Sequence, residues 1–93
     1  MDYLLKDNDG FQFVVEKEKE RVKEDIIGQY IKLRKEKGLT QEDVANLTGI
    51  ARTNIVRIEG RKNVPTIEVL TKLAMALNME LEIKFTKKGK GRA

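Results

Sequence analysis

The chain has no cysteine, no histidine and no tryptophan, and a single proline in 93 residues. Without cysteine there is no disulfide, no thiolate nucleophile and no sulfur ligand for structural zinc. Without histidine the usual acid–base group of a neutral-pH active site is missing, and the acidic residues fall mostly in solvated helical patterns. No catalytic constellation emerges, so the chain is expected not to be an enzyme and to need no cofactor and no metal. Aromatic residues make up only 5%. No apolar run approaches a membrane span, and the acidic start Met1-Asp2 does not read as a signal peptide, so the expected compartment is a reducing cytoplasm. What is abundant is charge: 37% of residues, with a formal net charge of +4. That balance suits a small, well-solvated helical domain and is compatible with a polyanionic partner. Ninety-three residues allow one modest core and not two.

The most specific pattern is QEDVANLTGIARTNIVRIEG, residues 41–60. Ala45, Gly49, Ile55 and Ile58 stand at the spacing of a helix-turn-helix, each for a steric reason. Two short helices that cross steeply need a small residue where they touch, here Ala45. The turn between them needs left-handed backbone, which Gly49 adopts without a Cβ penalty. Ile55 and Ile58, three apart, face inward and leave the outer face of the second helix free to enter a DNA groove. Val44 and Ile50 add apolar support.

Elements flank this motif on both sides. Asp7-Asn8-Asp9-Gly10 is a turn signal between two small apolar runs, so residues 11–15 form either a short hairpin strand or the start of a helix. EKEKERVKED, residues 16–25, is almost wholly charged and reads as a helix laced with ion pairs or as a linker. Ile26, Tyr30 and Leu33 then recur on one helical stripe that should end at Gly38. Thr40 is placed to N-cap the next helix, with Asp43 near its start. Beyond the loop at Gly60-Arg61-Lys62-Asn63-Val64, Pro65 and Thr66 open a helix whose core stripe is Ile67, Leu70, Leu73, Ala74 and Leu77. ELEIKFT, residues 80–86, alternates with period two, so Leu81, Ile83 and Phe85 share one face of a predicted strand. That strand would pair with residues 11–15 or with its equivalent in a second copy. The expected organisation is an N-terminal extension (residues 1–25), a helix-turn-helix domain (26–79), a C-terminal strand (80–86) and a basic tail (87–93).

Residues 26–77 resemble the DNA-binding domain of the Cro/cI, or XRE, repressor family. The resemblance is carried by KLRKEKGLTQEDVANLTGI, by TNIVRIEG and by the proline-started TIEVLTKLAMAL. It implies a mostly α fold, a four- to five-helix bundle, here with the short C-terminal strand. A last helix running directly into MELEIKF is similar to HigA-type antitoxins, a likeness that solitary repressors share. The family usually has a polar residue and then glycine after the position of Glu59. This chain has Gly60 and then Arg61, and the turn is expected to use Gly60.

The resemblance also implies roles. Arg52, Thr53 and Arg57 would read base edges in the major groove. Gln41, Asn54, Arg61, Lys62 and Asn63 would hold phosphates, and Arg34 with Glu59 would form a structural ion pair. One module buries only about 600–1,000 Å² on DNA, so a homodimer on a palindromic operator is expected, joined by the strand residues Leu81, Ile83 and Phe85. The implied function is transcriptional repression in a bacterial or phage cytoplasm, at the nucleoid. As a HigA-type antitoxin the chain would also neutralise a small ribonuclease toxin. The alternatives are a solitary Cro/cI-type repressor with no toxin partner, and a protein-interaction module that no longer binds DNA.

Overall fold

A computed structural model describes residues 8–88. Residues 1–7 of the expected N-terminal extension and residues 89–93 of the expected basic tail lie outside the described residues. Four helices follow in order: α1 (Asn8–Glu36), α2 (Gln41–Thr48), α3 (Arg52–Glu59) and α4 (Ile67–Ala76). The core joins Tyr30 of α1, Val44 of α2, Ile55 of α3, and Leu73 of α4 with Leu77 just beyond it. α2 lies against α3 and α4, and α3 also meets α1. Ile31, Leu33, Leu39, Ala45, Ile50, Val69 and Leu70 pack around this centre.

The helix boundaries follow from capping chemistry. Thr40 Oγ1 accepts from the Asp43 N–H at 3.0 Å, and the Asp43 carboxylate accepts from the Thr40 N–H at 2.8 Å, a complete capping box. The backbone bond from Thr40 holds the Asp43 carboxyl below its ordinary range. Thr66 Oγ1 caps α4 by accepting from the Val69 N–H at 3.1 Å. At the other ends, α1, α3 and α4 close in the same way. Leu39 N–H reaches back to Arg34 O while Gly38 N–H bonds Lys35 O; the pattern repeats with Lys62 and Arg61, and with Met79 and Asn78. This is the Schellman arrangement, and its turning residue is left-handed each time: Gly38 (φ 72), Arg61 (φ 62) and Asn78 (φ 58).

One alternative is decided and two expectations are corrected. Of the two readings of residues 11–15, the helix holds: they are part of a 29-residue helix. Asn and Asp favour helix starts as well as turns, and Asn8 lies at the start of α1. The break expected at residues 25/26 accordingly falls inside α1. Residues 80–86 form no strand, and no strand occurs among the described residues. With residues 11–15 helical, the run has no strand edge within its own chain to pair with, and unpaired backbone stays in water. Leu81 is half-buried, whereas Ile83 and Phe85 are exposed. Finally, the turn after α3 does not use Gly60, whose φ is −82; Arg61 takes the left-handed conformation instead.

Candidate nucleic-acid interface

The first motif helix, α2, ends at Gly49 (φ 78), whose N–H bonds Ala45 O at 2.9 Å. Thr48 Oγ1 accepts from the Ile50 N–H, fixing the path into α3. Val44, Ile55 and Ile58 are almost fully buried, so the orientation of α3 is set by packing. The opposite face of α3 carries Arg52, Thr53, Val56 and Arg57, all exposed. Its N-cap is Ala51, which provides no side-chain bond, so the N–H groups of Arg52 and Thr53 at the first turn have no capping side chain.

Arg57 is held in place before any ligand arrives. Its Nε and Nη2 donate to Asn63 Oδ1 at 3.3 and 3.1 Å. Asn63 Nδ2 in turn donates to Asn54 Oδ1 at 2.8 Å. Three side chains from the recognition helix and the following loop thus form one chain of hydrogen bonds, with Arg57 at its exposed end. Arg52 makes a looser contact, 3.5 Å to the Glu42 carboxylate of α2, with both groups more than half exposed. Such a surface pair gives way readily to a competing acceptor. Lys62 is exposed beside this network.

Two other polar residues have different company. Gln41 Nε2 donates to Glu59 Oε1 at 3.1 Å. Arg61 turns toward α1: its Nε and Nη2 fork onto Glu24 at 2.8 and 3.1 Å, and Nη1 donates to Glu59 O at 2.7 Å. The Arg61 bond holds the Glu24 carboxyl below its ordinary range, and Glu24 raises the Arg61 guanidinium in return. In the free chain the guanidinium of Arg61 is therefore a strap between α1 and the end of α3.

Arg34 and Glu59 lie at the base of the site. Arg34 Nε and Nη2 donate to the two oxygens of Glu59, both at 2.9 Å, and Nη1 donates to Leu39 O at 2.7 Å. Each residue is 8% exposed. The geometry is the bidentate fork that a buried pair needs if its attraction is to offset desolvation. Sequence reasoning missed Glu24 as the partner of Arg61 and Asn63 as the hub between Asn54 and Arg57. Neither follows a helical repeat: the pairs are 37, 9 and 6 residues apart. No cluster of side chains suited to a metal occurs among the described residues, and no described helix is long and apolar enough to cross a membrane.

Two short helices crossing at Ala45 and Gly49, with a rigidly seated second helix and arginines on its outer face, define a DNA-binding regulatory domain. A family model described as helix-turn-helix matches residues 31–84, more than half of the chain. The chain belongs to this helix-turn-helix family, in its XRE type. It is also similar to the ImmF control region 10 kDa protein of Bacillus phage phi105, 34% identical over 50 residues. That match covers 54% of this chain and 56% of the phage protein, so the chain spans little more than half the length of this relative. No solved structure matches the chain.

Proposed function

We propose that the chain is a sequence-specific transcriptional repressor that inserts α3 into the major groove of an operator. The observation that carries this reading is the Arg57–Asn63–Asn54 network, which presents a guanidinium on the exposed face of a buried-anchored helix. A preorganised arginine fork suits bidentate donation to guanine O6 and N7. Arg52 and Thr53, at the open start of the same helix, are the further base-reading residues. Asn54, Lys62 and Asn63 border the groove where a phosphate would lie. Gln41, at the first turn of α2, and Arg61 would contact phosphate only by leaving Glu59 and Glu24. The control-region relative from a phage supports a regulatory role, and two copies on a palindrome would supply the affinity that one module lacks, with half-sites about 34 Å apart.

The finer reading, an antitoxin that neutralises a ribonuclease, rests on the resemblance of the chain's ending alone. We favour the repressor without it. The discriminating trial is to co-express the chain with each neighbouring reading frame; growth arrest that this chain relieves would reinstate the toxin partner.

Titration of fluorescent operator DNA, drawn from the chain's own upstream region, tests the main reading. Arg57→Ala and Arg52→Ala should each weaken specific binding by roughly 1–3 kcal/mol, about 5- to 150-fold, and relax discrimination at one base pair. Lys62→Ala should weaken all sequences alike and lower the salt slope by about one. Binding that is weak, indifferent to salt and unchanged by Arg57→Ala would instead make the chain a protein-interaction module.

A further inference from the structure

The N-terminal half of α1 borders an apolar groove of about 480 Å³ whose other wall is Val64, Pro65 and Leu70. Val22 and Val64 on its margins are 53% and 61% exposed. In a chain this charged, that much accessible apolar side chain around one groove marks an interaction surface. The question is what lies on it.

The helix face itself carries the answer. In a symmetric antiparallel helix pair, residue i meets residue j and residue j meets residue i, so the two numbers have a constant sum. Centred between Glu18 and Lys19, the groove-lining residues of α1 map onto one another. Val15 faces Val22 of the second copy, and Glu18 faces its Lys19. Further out, Phe11 faces Ile26, and Val14 lies against the aliphatic stem of Lys23. Lys23 already keeps only 11% of its side chain exposed, so its stem is laid down along the helix. Apolar residues meet apolar ones, and the two central contacts join opposite charges across the two-fold axis.

We infer that this face is the seat of a second copy of the same chain, with the two α1 helices antiparallel about an axis at residues 18 and 19. It deepens the dimeric reading given above by assigning its surface. Each helix would lie in the groove of the other, covering Val64 and Leu70 as well. Within one chain Glu18 is bonded to Arg21 and Lys19 to Glu16, both at exposed i,i+3 positions. Such contacts are weak and exchangeable, and they leave carboxylate and ammonium able to bridge between chains. The competing surface, residues 80–86, exposes Ile83 and Phe85 beside Glu82 and Lys84, which are paired with each other within the chain.

The test uses the full chain and a charge swap. Sedimentation should show a dimer whose dissociation constant rises about tenfold or more in Glu18→Lys and again in Lys19→Glu, because like charges then face each other. The double variant Glu18→Lys/Lys19→Glu restores both contacts and should return to within about threefold of the parent. Arg21→Ala removes the helical partner of Glu18 but not the inter-chain pair, so it should leave the dimer intact. Circular dichroism checks that helix content survives in each case. Because the chain has no cysteine, a mixture of Val15→Cys and Val22→Cys chains should cross-link on oxidation, while Phe13→Cys, on another face, should not. A monomer at all concentrations overturns the inference. So does a dimer that ignores the charge swap and dissociates when residues 80–93 are removed. Operator titration on the same samples keeps this separate from repression, since a monomer that still binds specific DNA sinks only the dimer.

Discussion

The two halves of α1 differ in everything but secondary structure. From Ile27 onward the helix is anchored: Ile27, Tyr30 and Arg34 are each at most 8% exposed. Before Asp25 almost every side chain is in water, and order comes from short-range ion pairs, Glu16–Lys19, Glu18–Arg21, Glu20–Lys23 and Arg21–Asp25. At 1.5 Å per residue α1 is about 43 Å long, against 47 Å for the longest dimension of the molecule. Its N-terminal half meets the rest of the molecule at the Glu24–Arg61 fork and along the groove walled by Val64, Pro65 and Leu70. Each half is tied to the end of α3 by one arginine–carboxylate fork, buried at Arg34–Glu59 and exposed at Arg61–Glu24. Local pairing is enough to continue a helix that packing has already nucleated, but only packing makes an ion pair matter to stability.

The sharpest way to break that contrast is to remove one carboxylate from each fork. Glu59→Ala leaves Arg34 buried without its counter-ion and also strands Gln41. It should cost about 3–5 kcal/mol in urea unfolding and take DNA binding with it. Glu24→Ala frees Arg61 into water and should leave the unfolding curve within error of the parent. Equal losses in the two variants would mean that burial is not what distinguishes the forks.

Much of the anchored half was legible. Gly38, Thr40, Gly49 and Thr66 announce their roles because capping and left-handed turns are local chemistry, readable within four residues. The burial of Ile55, Ile58, Leu73 and Leu77 follows from helical periodicity, whereas Ile67, placed on the same core stripe, is 66% exposed at the first turn of α4. The Arg34–Glu59 contact joins residues 25 apart and came from family resemblance, since no spacing rule reaches that far. What was not legible is whatever depends on a neighbour. Residues 80–86 have a strand pattern, but a strand exists only with a partner. The site behaves likewise: its exposed arginines could be read, whereas the Asn63 hub and the turn of Arg61 toward Glu24 needed the fold.

The turns that end α2 and α3 allow a finer comparison, between two glycines. Gly49→Ala forces a Cβ into left-handed backbone and should cost about 1–2 kcal/mol. Gly60 has a negative φ, and a Cβ there would meet Val56 O at 3.3 Å, a tight contact that a shift of a few tenths of an ångström relieves, with Arg57 O and the Lys62 side chain at 3.8 Å. Gly60→Ala, which also stiffens the unfolded chain, should fall within about 0.5 kcal/mol of the parent. Thermal unfolding of the two variants side by side decides it. A large loss at Gly60 would show that the loop leans on that glycine after all.

A further small effect is expected in the core itself. Tyr30 Oη is buried beside the Arg34–Glu59 fork, yet finds no hydrogen-bond partner among the described residues. A buried hydroxyl without a partner is a cost that phenylalanine does not carry, so Tyr30→Phe should shift stability by less than about 1 kcal/mol, toward the folded state. The pH dependence makes this small change readable. Burial, reinforced by the Glu59 carboxylate, pushes the Tyr30 phenol well above its ordinary value. Below about pH 10 both folded and unfolded chains keep the proton at this position, and its contribution is constant. Above that the unfolded chain releases the proton while the folded one retains it, so stability must fall as pH rises. Denaturation of parent and Tyr30→Phe on either side of pH ~10 isolates the effect, since lysine titration is common to both. The parent should lose more stability than the variant across that interval. Parallel losses would mean that the phenol is not held away from water, and that the anchored half of α1 is looser at its centre than its packing implies.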